Sequence, residues 1–481
     1  MALARGLIGY APAVVVPRLV TLLQVTLLTR MIAPTQFGLF ILVITLGEAI
    51  DAVCCNWIRV VLSRYGASFT GDALAREAAR AVLWFLLAGS LAALPAAWGA
   101  ATLQHGEVLP IFVSLALYLA VNGASRLSLT LLTIRGFKLA FFGVEALRTL
   151  AGFAGVMLLA GTGTVTTFVP LIAVMNLSAA VAAVVGIALA FRGLGWRRPD
   201  GWGWDRMHYV LPLLAGSVAG VLLNSSDRLV TKSFAGAAAL ATYAAAVMLA
   251  RQPLEFLFSV VNVRTFPELM ATYETSGPKV AGERMGDLIS VMALLACPAA
   301  LGLALVAGPL AETFLPGGYV APARAVIPLG AVAGLMLGFK SFVFDQVLHM
   351  RRRIWGNTLM VLPLSFAGIL LSSVLAEHVG AVGCAIALLV QSALVLGVSL
   401  IQSTRLLPIV VNRADLGRIA LMLAAMAVTV SAVLAGLSGQ AAAIRLVCAV
   451  FGGAGCYVVT GLLLRPGPVR DLLPARWIEA A

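Results

Sequence analysis

Long apolar runs separated by short polar segments repeat along the 481 residues of the chain. A membrane-spanning helix needs about 20 consecutive apolar residues. Runs of about that length lie at 7–29, 37–62, 81–104, 108–134, 139–160, 166–191, 208–233, 239–263, 286–309, 323–348, 354–376, 380–403, 418–437 and 443–464. The pattern therefore predicts an all-α polytopic membrane protein with about fourteen transmembrane helices.

The layout of the first six runs repeats in the next six. Ile32–Phe40 opens the second run and Phe234–Tyr243 opens the eighth, and a charged segment follows each of these runs. Internal repeats of this kind are common among transporters. We therefore predict two six-helix lobes, at residues 1–206 and 207–404, followed by two additional helices and a tail at residues 405–481.

Basic residues concentrate on one side of this topology. With a cytoplasmic N-terminus, the outer loops contain only Arg30, Lys232, Arg324 and Arg445, whereas most other basic residues fall in inner loops and tails. Short loops rich in Lys and Arg remain in the cytoplasm. We therefore expect a multi-pass membrane protein with both termini in the cytoplasm.

Composition supports the membrane assignment and limits other functions. The chain is 61% hydrophobic and 11% charged, whereas a soluble protein carries about 25% charged residues. The net charge of +13 is spread over the inner segments, so we attribute it to topology and to contact with anionic lipids, and not to nucleic-acid binding. The cysteines form no CxxC motif or ligand cluster, so we expect no disulfide and no metal site.

Ionisable residues inside the predicted spans are the candidate functional residues. The basic candidates for substrate binding are Arg18, Arg59, Arg126, Arg148, Arg228, Arg251 and Lys340. The acidic candidates for ion coupling or charge pairing are Glu48, Asp51, Glu145, Asp227, Glu255 and Asp345. Each such charge costs about 3 kcal/mol at the centre of a membrane helix, so we predict that they face one another or a water-filled interior.

Helical spacing places several of these charges on common faces. Glu48, Asp51 and Arg59 share one face of the second span, and Arg251 and Glu255 share one face of the eighth. Arginines in a polar interior suit phosphate or pyrophosphate, and buried carboxylates suit a coupling proton or sodium ion. Salt bridges that only hold helices together are the alternative interpretation.

Other chemistry is not indicated by the sequence. It contains no P-loop, glycine-rich nucleotide loop or HExxH motif, so we expect no ATP-driven transport within this chain. The outer loops are short, and we do not expect an enzyme. No cofactor is expected apart from possible coupling to H+ or Na+.

Four stretches resemble bacterial polysaccharide exporters and O-antigen-type flippases. They are TRMIAPTQFGLFILVITLGEAID, LPLLAGSVAGVLLNSSDRLVTKSFAG followed by ATYAAAVML, LPGGYVAPARAVIPLGAVAGLMLGFKSFVFDQVL, and HVGAVGCAIALLV. They lie in the order of that family between about Leu7 and Gln402. One departure is Ala241, at a turn position where the family usually has glycine.

The resemblance places the chain in the multidrug/oligosaccharidyl-lipid/polysaccharide exporter superfamily. It implies two six-helix lobes that rock between inward-open and outward-open states. It also implies a location in the bacterial inner (plasma) membrane. There it implies movement of an undecaprenyl-pyrophosphate-linked oligosaccharide to the outer leaflet, for synthesis of a cell-surface polysaccharide such as O-antigen or exopolysaccharide. The expected partners are this substrate, membrane lipids, a polysaccharide polymerase and a chain-length regulator, with no nucleic acid.

Within that function, the arginines and carboxylates receive separate roles. We expect Arg18, Arg148 and Arg251 to bind the anionic headgroup, with Arg59 and Arg126 assisting from the cytoplasmic side. The carboxylates expected to couple ions or to hold the arginines in place are Glu48, Asp51 and Glu255.

Three other functions remain as alternatives. A cation-coupled multidrug antiporter of the same superfamily favours an acidic, aromatic interior, whereas this interior has a slight basic excess. A membrane polysaccharide polymerase or lipid-using glycosyltransferase usually needs a sizeable outer loop with catalytic residues. A scaffold subunit of a synthesis complex would not account for the buried charges.

Overall fold

The computed structural model describes residues 2–65, 71–102, 108–163, 165–192, 207–351 and 354–468. Within these ranges the chain consists of helices joined by short turns and contains no β-strand. The predicted all-α fold is therefore confirmed.

The helices of the first half begin with α1 and end with α8. Their bounds are α1 Ala2–Met31, α2 Pro34–Cys54, α3 Asn56–Tyr65, α4 Gly71–Thr102, α5 Val108–Ile134, α6 Lys138–Ala146, α7 Gly152–Gly161 and α8 Val169–Ala190. A π-helical segment, π1 (Leu147–Ala151), joins α6 to α7.

The second half begins with a long helical run, α9. The bounds are α9 Met207–Leu305, α10 Ala307–Phe314, α11 Gly317–Phe339, α12 Asp345–Met350, α13 Ile354–Val379, α14 Ala381–Leu406, α15 Arg413–Gly436 and α16 Ala442–Leu464. A second π-helical segment, π2 (Lys340–Phe344), joins α11 to α12.

The chain forms two compact units, Met1–Ala241 and Thr242–Ala481. The predicted lobe boundary at residue 206 lies outside the described residues. The division into lobes at 1–206 and 207–404 therefore remains a prediction.

Two glycines turn the path of α9. A straight helix of 99 residues would extend about 150 Å, several times the thickness of a bilayer core. Gly236 and Gly277 have φ angles of 86° and 81°, which lie outside the right-handed helical region. Because Gly236 makes the turn, Ala241 is an ordinary buried helical residue and needs no glycine there.

Eleven helical runs of the described residues are long and apolar enough to cross a membrane. One of them, Leu214–Asn262, has 49 residues and contains the turn at Gly236. α1 and α4 overlap the predicted first and third spans. The multi-pass membrane fold is confirmed, and the number of fourteen spans remains a prediction.

The predicted span 37–62 is not one helix. α2 ends at Cys54, and α3 begins at Asn56 after a break at Cys55. The apolar run alone indicated a continuous helix because it contains neither Pro nor Gly near the break. This break positions the charges described below.

α5 packs against α2, α4 and α8 in the first unit. Asn122 donates a hydrogen bond to Asn176 at 3.5 Å, and Asn176 donates to the Ser114 carbonyl at 3.4 Å. A Cβ atom at Gly186 of α8 would lie 2.3 Å from the hydroxyl of Ser128. Small residues and interhelical hydrogen bonds are typical of tightly packed membrane helices, so α5 is held firmly against α8.

In the second unit, α9 and α11 meet along a glycine stripe that consists of Gly330, Gly334 and Gly338. A Cβ atom at Gly330 would lie 3.2 Å from the Cβ of Ala250, and one at Gly338 would lie 2.1 Å from the ring of Phe258. The four-residue spacing is that of the small-xxx-small motif, which lets helix backbones approach closely. The stripe therefore sets the distance between α9 and α11.

α15 and α16 form a hairpin that is fastened within the second unit. The Tyr457 hydroxyl of α16 donates to the Leu294 carbonyl of α9 at 2.9 Å. Where α15 begins and α16 has ended, Asp415 accepts hydrogen bonds from Arg418 at 3.1 Å and from the backbone N–H of Gly467 at 2.9 Å. We call these last contacts the Asp415 clasp.

Candidate functional site

Two tryptophans stabilise the break between α2 and α3. The Cys54 carbonyl has lost its helical partner at this break and accepts the indole N–H of Trp57 at 3.1 Å and that of Trp84 at 2.7 Å. The two rings pack edge to face with centroids 5.9 Å apart. A backbone acceptor freed inside a membrane bundle needs such a donor, so α4 supports the bend through Trp84.

The bend brings Arg59 back to Asp51. The two guanidinium nitrogens of Arg59 donate to the two carboxylate oxygens of Asp51 at 2.8 and 2.6 Å. In a straight helix these residues would be separated by about 12 Å along the axis. The side chain of Asp51 is only 3% exposed, and the bidentate geometry is the form in which a buried arginine–carboxylate pair is strongest.

Arg126 of α5 extends this pair into a network. Its Nη1 donates to Asp51 at 2.8 Å, and its Nη2 donates to Glu48. The Tyr118 hydroxyl donates to the same Glu48 oxygen at 2.7 Å. We call Glu48, Asp51, Arg59, Arg126 and Tyr118 the Asp51 network. The negative charges of its two carboxylates balance the positive charges of its two guanidinium groups.

The two sides of the Asp51 network differ in exposure. The side chain of Asp51 is buried, whereas the side chains of Glu48 and Arg126 are 43% and 29% exposed. Charged groups on membrane helices face protein or water because exposure to lipid is costly. Glu48 and Arg126 therefore lie at the accessible edge of the network, and Asp51 and Arg59 form its fixed base.

A second ion pair of the first unit is located at π1. Arg148 donates to the carboxylate of Glu145 at 3.1 and 2.6 Å. The Arg148 carbonyl accepts the backbone N–H of Gly152 and, in addition, the Ser178 hydroxyl of α8 at 3.1 Å. π1 thus fixes the arginine backbone while its guanidinium stays partly exposed.

The remaining candidates of the first unit lie outside these two clusters. Arg18 is partly buried on α1, which packs against π1. Its Nη1 atom is buried without a hydrogen-bond partner among the described residues, and so is the Nε atom of Arg228. Asp227 is buried within α9. Among the described residues, Arg18 and Arg228 take part in no ion pair.

In the second unit, Arg251 and Glu255 form an ion pair on α9. The closest nitrogen–oxygen distance is 3.3 Å, and the side chain of Glu255 is 44% exposed whereas that of Arg251 is buried. The stem of Arg251 packs on the glycine stripe at Gly334. The helical spacing that predicted a shared face is therefore observed.

Lys340 and Asp345 form the other charged pair of the second unit, across π2. The ammonium group lies 2.5 Å from a carboxylate oxygen of Asp345, and both side chains are largely buried. The other carboxylate oxygen accepts the Ser399 hydroxyl of α14 at 2.9 Å. The pair is thus enclosed between two helices of the same unit.

Sequence reasoning missed several polar partners. Tyr118 was not a candidate, although it lies eight residues before Arg126 on the same face of α5. Lys232 was assigned to an outer loop but is buried within α9. Both Arg324 and Arg445, predicted in outer loops, donate to Glu312, which joins α16 to α10 and α11. The periodicity of one helix does not show which residues of other helices its side chains will contact.

In the part of the chain that the structure describes, no group of three His, Cys, Asp or Glu side chains is arranged to hold a metal ion. The cysteines described are all free thiols.

The model of a family described as polysaccharide biosynthesis protein matches residues 27–321. No curated protein matches the sequence at a significant level.

Solved structures match over most of the chain. The lipid II flippase MurJ in an inward closed conformation is 11% identical, with a TM-score of 0.74, and the match covers 97% of this chain and 99% of that one. An inward-facing MATE family multidrug resistance transporter of the MOP superfamily is 12% identical, with a TM-score of 0.61 and coverage of 81% and 94%. A MOP superfamily transporter from Pyrococcus furiosus is 13% identical, with a TM-score of 0.58 and coverage of 84% and 95%. At these identities the likeness shows the fold alone.

Proposed function

The chain belongs to the polysaccharide biosynthesis protein family, and from this premise we propose that it is a flippase for a lipid-linked oligosaccharide. The substrate is a repeat unit on an undecaprenyl-pyrophosphate type of carrier, which moves from the cytoplasmic to the outer leaflet by alternating access. Family and fold are those of membrane transporters and flippases. The product feeds the synthesis of a cell-surface polysaccharide.

The accessible edge of the Asp51 network is the observation that carries this proposal. Arg126 is held by Asp51 from the buried side, and its other nitrogen donates to the half-exposed Glu48. A guanidinium group binds phosphate in the same two-pronged way as carboxylate. An incoming pyrophosphate can therefore replace Glu48 as the partner of Arg126 without disturbing Asp51.

This exchange of partners should cost the protein little stability, because the other members of the Asp51 network keep their own bonds. Asp51 keeps both bonds from Arg59 when Arg126 turns to a substrate. Glu48 keeps the hydrogen bond from Tyr118, and its side chain is 43% exposed. No buried charge is left without a partner, which would cost several kcal/mol.

The charge distribution favours an anionic substrate over a cationic drug. The carboxylate of Glu48 is already paired with Arg126 and accepts a hydrogen bond from the Tyr118 hydroxyl. Arg148 is partly exposed beside its partner Glu145, and it supplies a second guanidinium group of the same kind. A multidrug cation would have to displace an arginine from each site.

Transport in proteoliposomes tests the proposal. Purified protein is reconstituted with a fluorescent undecaprenyl-pyrophosphate-linked oligosaccharide, and leaflet exposure is read with a membrane-impermeant quencher. Arg126→Ala should slow movement about 10–100-fold, because a charge-assisted hydrogen bond contributes about 1.5–3 kcal/mol. Glu48→Gln should instead lower the half-saturating substrate concentration, because it removes the competing carboxylate.

Arg284→Ala is the matched control, since Arg284 is an exposed arginine paired only loosely with Asp287 at 3.8 Å. Equal rates for wild type, Arg126→Ala and Arg284→Ala would remove Arg126 from the substrate path. A protein that leaves the labelled lipid on its original leaflet would contradict the flippase proposal. In cells, an intermediate that reaches the outer leaflet but stays unpolymerised on loss of the protein would support a polymerase instead.

The setting of this function is the bacterial inner membrane, with both termini in the cytoplasm. The basic inner segments support that orientation. A polysaccharide polymerase and a chain-length regulator are the partners that would consume the flipped repeat unit.

A further inference from the structure

Three charged side chains of the second unit meet at the end that the predicted topology places outside the cell. Glu312 of α10 accepts a hydrogen bond from Arg324 of α11 at one carboxylate oxygen and from Arg445 of α16 at the other. We call these three residues the Glu312 cluster. Because two guanidinium groups share a single carboxylate, the cluster carries a net positive charge.

Most hydrogen-bond donors of the two arginines are unused. A guanidinium group presents five N–H donors, and in each arginine only one nitrogen donates to Glu312. Among the described residues, neither arginine has another side-chain partner, and the buried Nε atom of Arg445 has no acceptor at all. A buried donor of this kind indicates a group that the protein itself does not supply, such as water, an ion or a ligand. The cluster therefore has room for a further acceptor.

The Glu312 cluster can be reached from outside the protein. The side chain of Arg324 is 54% exposed, and those of Glu312 and Arg445 are each 22% exposed. A Cβ atom at Gly317 or Gly318 would meet no atom within 4 Å, so no side chain covers the beginning of α11. A bulky ligand can approach Arg324 along this open surface.

Two helix N-termini add to the positive charge of the region. α11 begins at Gly317 and α16 at Ala442, and neither helix has a side-chain cap at its N-terminus. Uncapped backbone N–H groups and the helix dipole favour an anion. Arg445 is the fourth residue of α16, so the dipole and the guanidinium group act on the same place.

We propose that the Glu312 cluster binds the phosphate or pyrophosphate group of a lipid in the outer leaflet. A guanidinium group binds phosphate and carboxylate in the same two-pronged geometry, so one anionic group can bridge Arg324 and Arg445. Glu312 keeps the two arginines together when no ligand is present. It also competes with the ligand for them, which makes binding reversible.

The proposed function identifies which lipid this is. In a flippase, the ligand is the pyrophosphate of the repeat unit that has just reached the outer leaflet, and the cluster binds it before release. An anionic phospholipid of the outer leaflet offers the same chemistry. The choice of the flipped lipid rests on the proposed function, whereas binding of a lipid phosphate by the cluster does not.

Binding can be measured at the cluster without transport. In a cysteine-free background, Gly318→Cys carries an environment-sensitive fluorophore on the helix that also bears Arg324, and Ser276→Cys carries it at the turn of α9 on the opposite face. Farnesyl pyrophosphate is titrated into phosphatidylcholine nanodiscs that contain either protein. A parallel series of nanodiscs contains increasing proportions of phosphatidylglycerol instead. We expect a saturable change of fluorescence at position 318 and none at position 276.

Substitutions in the cluster should shift this titration in opposite directions. Arg324→Gln and Arg445→Gln should each raise the half-saturating concentration about tenfold, because each removes a charge-assisted hydrogen bond. Glu312→Gln should lower it, because the competing carboxylate is gone. Arg445→Lys keeps the charge and the pairing with Glu312 but loses the planar fork, so it should weaken binding while the hairpin stays docked.

Arg284→Gln, at an exposed arginine of α9, is the matched control and should leave the titration unchanged. An unchanged titration in both Arg324→Gln and Arg445→Gln would overturn the proposal, and so would the absence of any response at position 318. Glu312→Gln that binds no more tightly than wild type would also overturn it, because a purely structural ion pair predicts that result.

The two lipid series distinguish the source of the phosphate group. A response to farnesyl pyrophosphate supports the flipped lipid as ligand, and a response to phosphatidylglycerol alone supports a phospholipid at the same site. If the cluster binds either lipid but the protein moves no lipid-linked oligosaccharide in proteoliposomes, the proposed function fails and the site stands. Transport without any response at position 318 would overturn the site and leave the function intact.

Discussion

Gly38 of α2 lies directly against the carbonyl group of Ala237. A Cβ atom at position 38 would be only 1.9 Å from that oxygen. Ala237 follows Gly236, the residue whose positive φ turns α9. The start of α2, at Pro34, and the turn of α9 are the two positions that the predicted internal repeat relates, and they meet within the first compact unit.

Gly38→Ala should therefore destabilise the protein. The added methyl group meets backbone atoms that cannot rotate away, and overpacking of this kind costs about 1–3 kcal/mol. Thermal unfolding in detergent, read by loss of monodisperse protein, measures the effect. Gly143→Ala is the control, because its Cβ would meet no atom within 4 Å, and unchanged stability in both variants would show that the contact at Gly38 is not tight.

Replacing Arg59 should lower the free energy of unfolding much more than replacing an exposed arginine. Arg59→Gln leaves the buried Asp51 with Arg126 as its one remaining charged partner, and breaking a buried pair costs about 3–5 kcal/mol. Arg284→Gln breaks a pair whose side chains are both well exposed, so the expected cost is about 0–1 kcal/mol.

Chemical unfolding of the two purified variants in the same detergent gives this comparison. Asp51→Asn combined with Arg59→Gln should recover part of the loss, because the buried charge that has lost its bidentate partner is then removed as well. A double variant that is less stable than Arg59→Gln alone would contradict the account of Asp51 as the buried base of the network.

The glycine stripe predicts a compensating pair of substitutions. Gly338→Ala places a methyl group 2.1 Å from the Phe258 ring, and we expect a loss of about 1–3 kcal/mol. Phe258→Leu shortens the opposing side chain, so the combined variant should be more stable than the two separate losses predict. A double-mutant cycle of unfolding midpoints measures this coupling. If the effects of the two substitutions simply add, residues 338 and 258 are not in direct contact.

Orientation can be checked with a matched pair of serines. Ser233 and Ser276 are exposed residues beside the turns at Gly236 and Gly277, which the predicted topology places on opposite faces of the membrane. In a cysteine-free background, Ser233→Cys should react with an impermeant maleimide in intact spheroplasts. Ser276→Cys should react only after the membrane is opened, and the reverse pattern would invert the topology.

Much of the fold follows from apolar periodicity and length, because a bilayer accepts few structures other than helices. The pairing of Glu145 with Arg148 and of Arg251 with Glu255 also follows from the sequence, since both pairs lie one turn apart on a single helix. These local relations need no knowledge of how helices pack.

Relations that depend on departures from regular helix could not be read from the sequence. Arg59 reaches Asp51 because the chain bends at Cys55, and the donors that stabilise the bend include Trp84, thirty residues away in α4. Lys340 reaches Asp345 because the helix is π-wound there. Both departures are stabilised by side chains of neighbouring helices, and the α-helical spacing of one segment does not contain that information.

The Asp415 clasp bears on how the protein is made. Its contacts join Asp415 at the start of α15 to Gly467 just beyond α16, so the two helices can close on each other as soon as residue 467 has left the ribosome. The hairpin can then leave the translocon as a preassembled pair and dock sideways, with Tyr457 capturing the Leu294 carbonyl of helices already inserted. Biogenesis would thus proceed in two separable steps, insertion of the preceding helices and late docking of a finished hairpin.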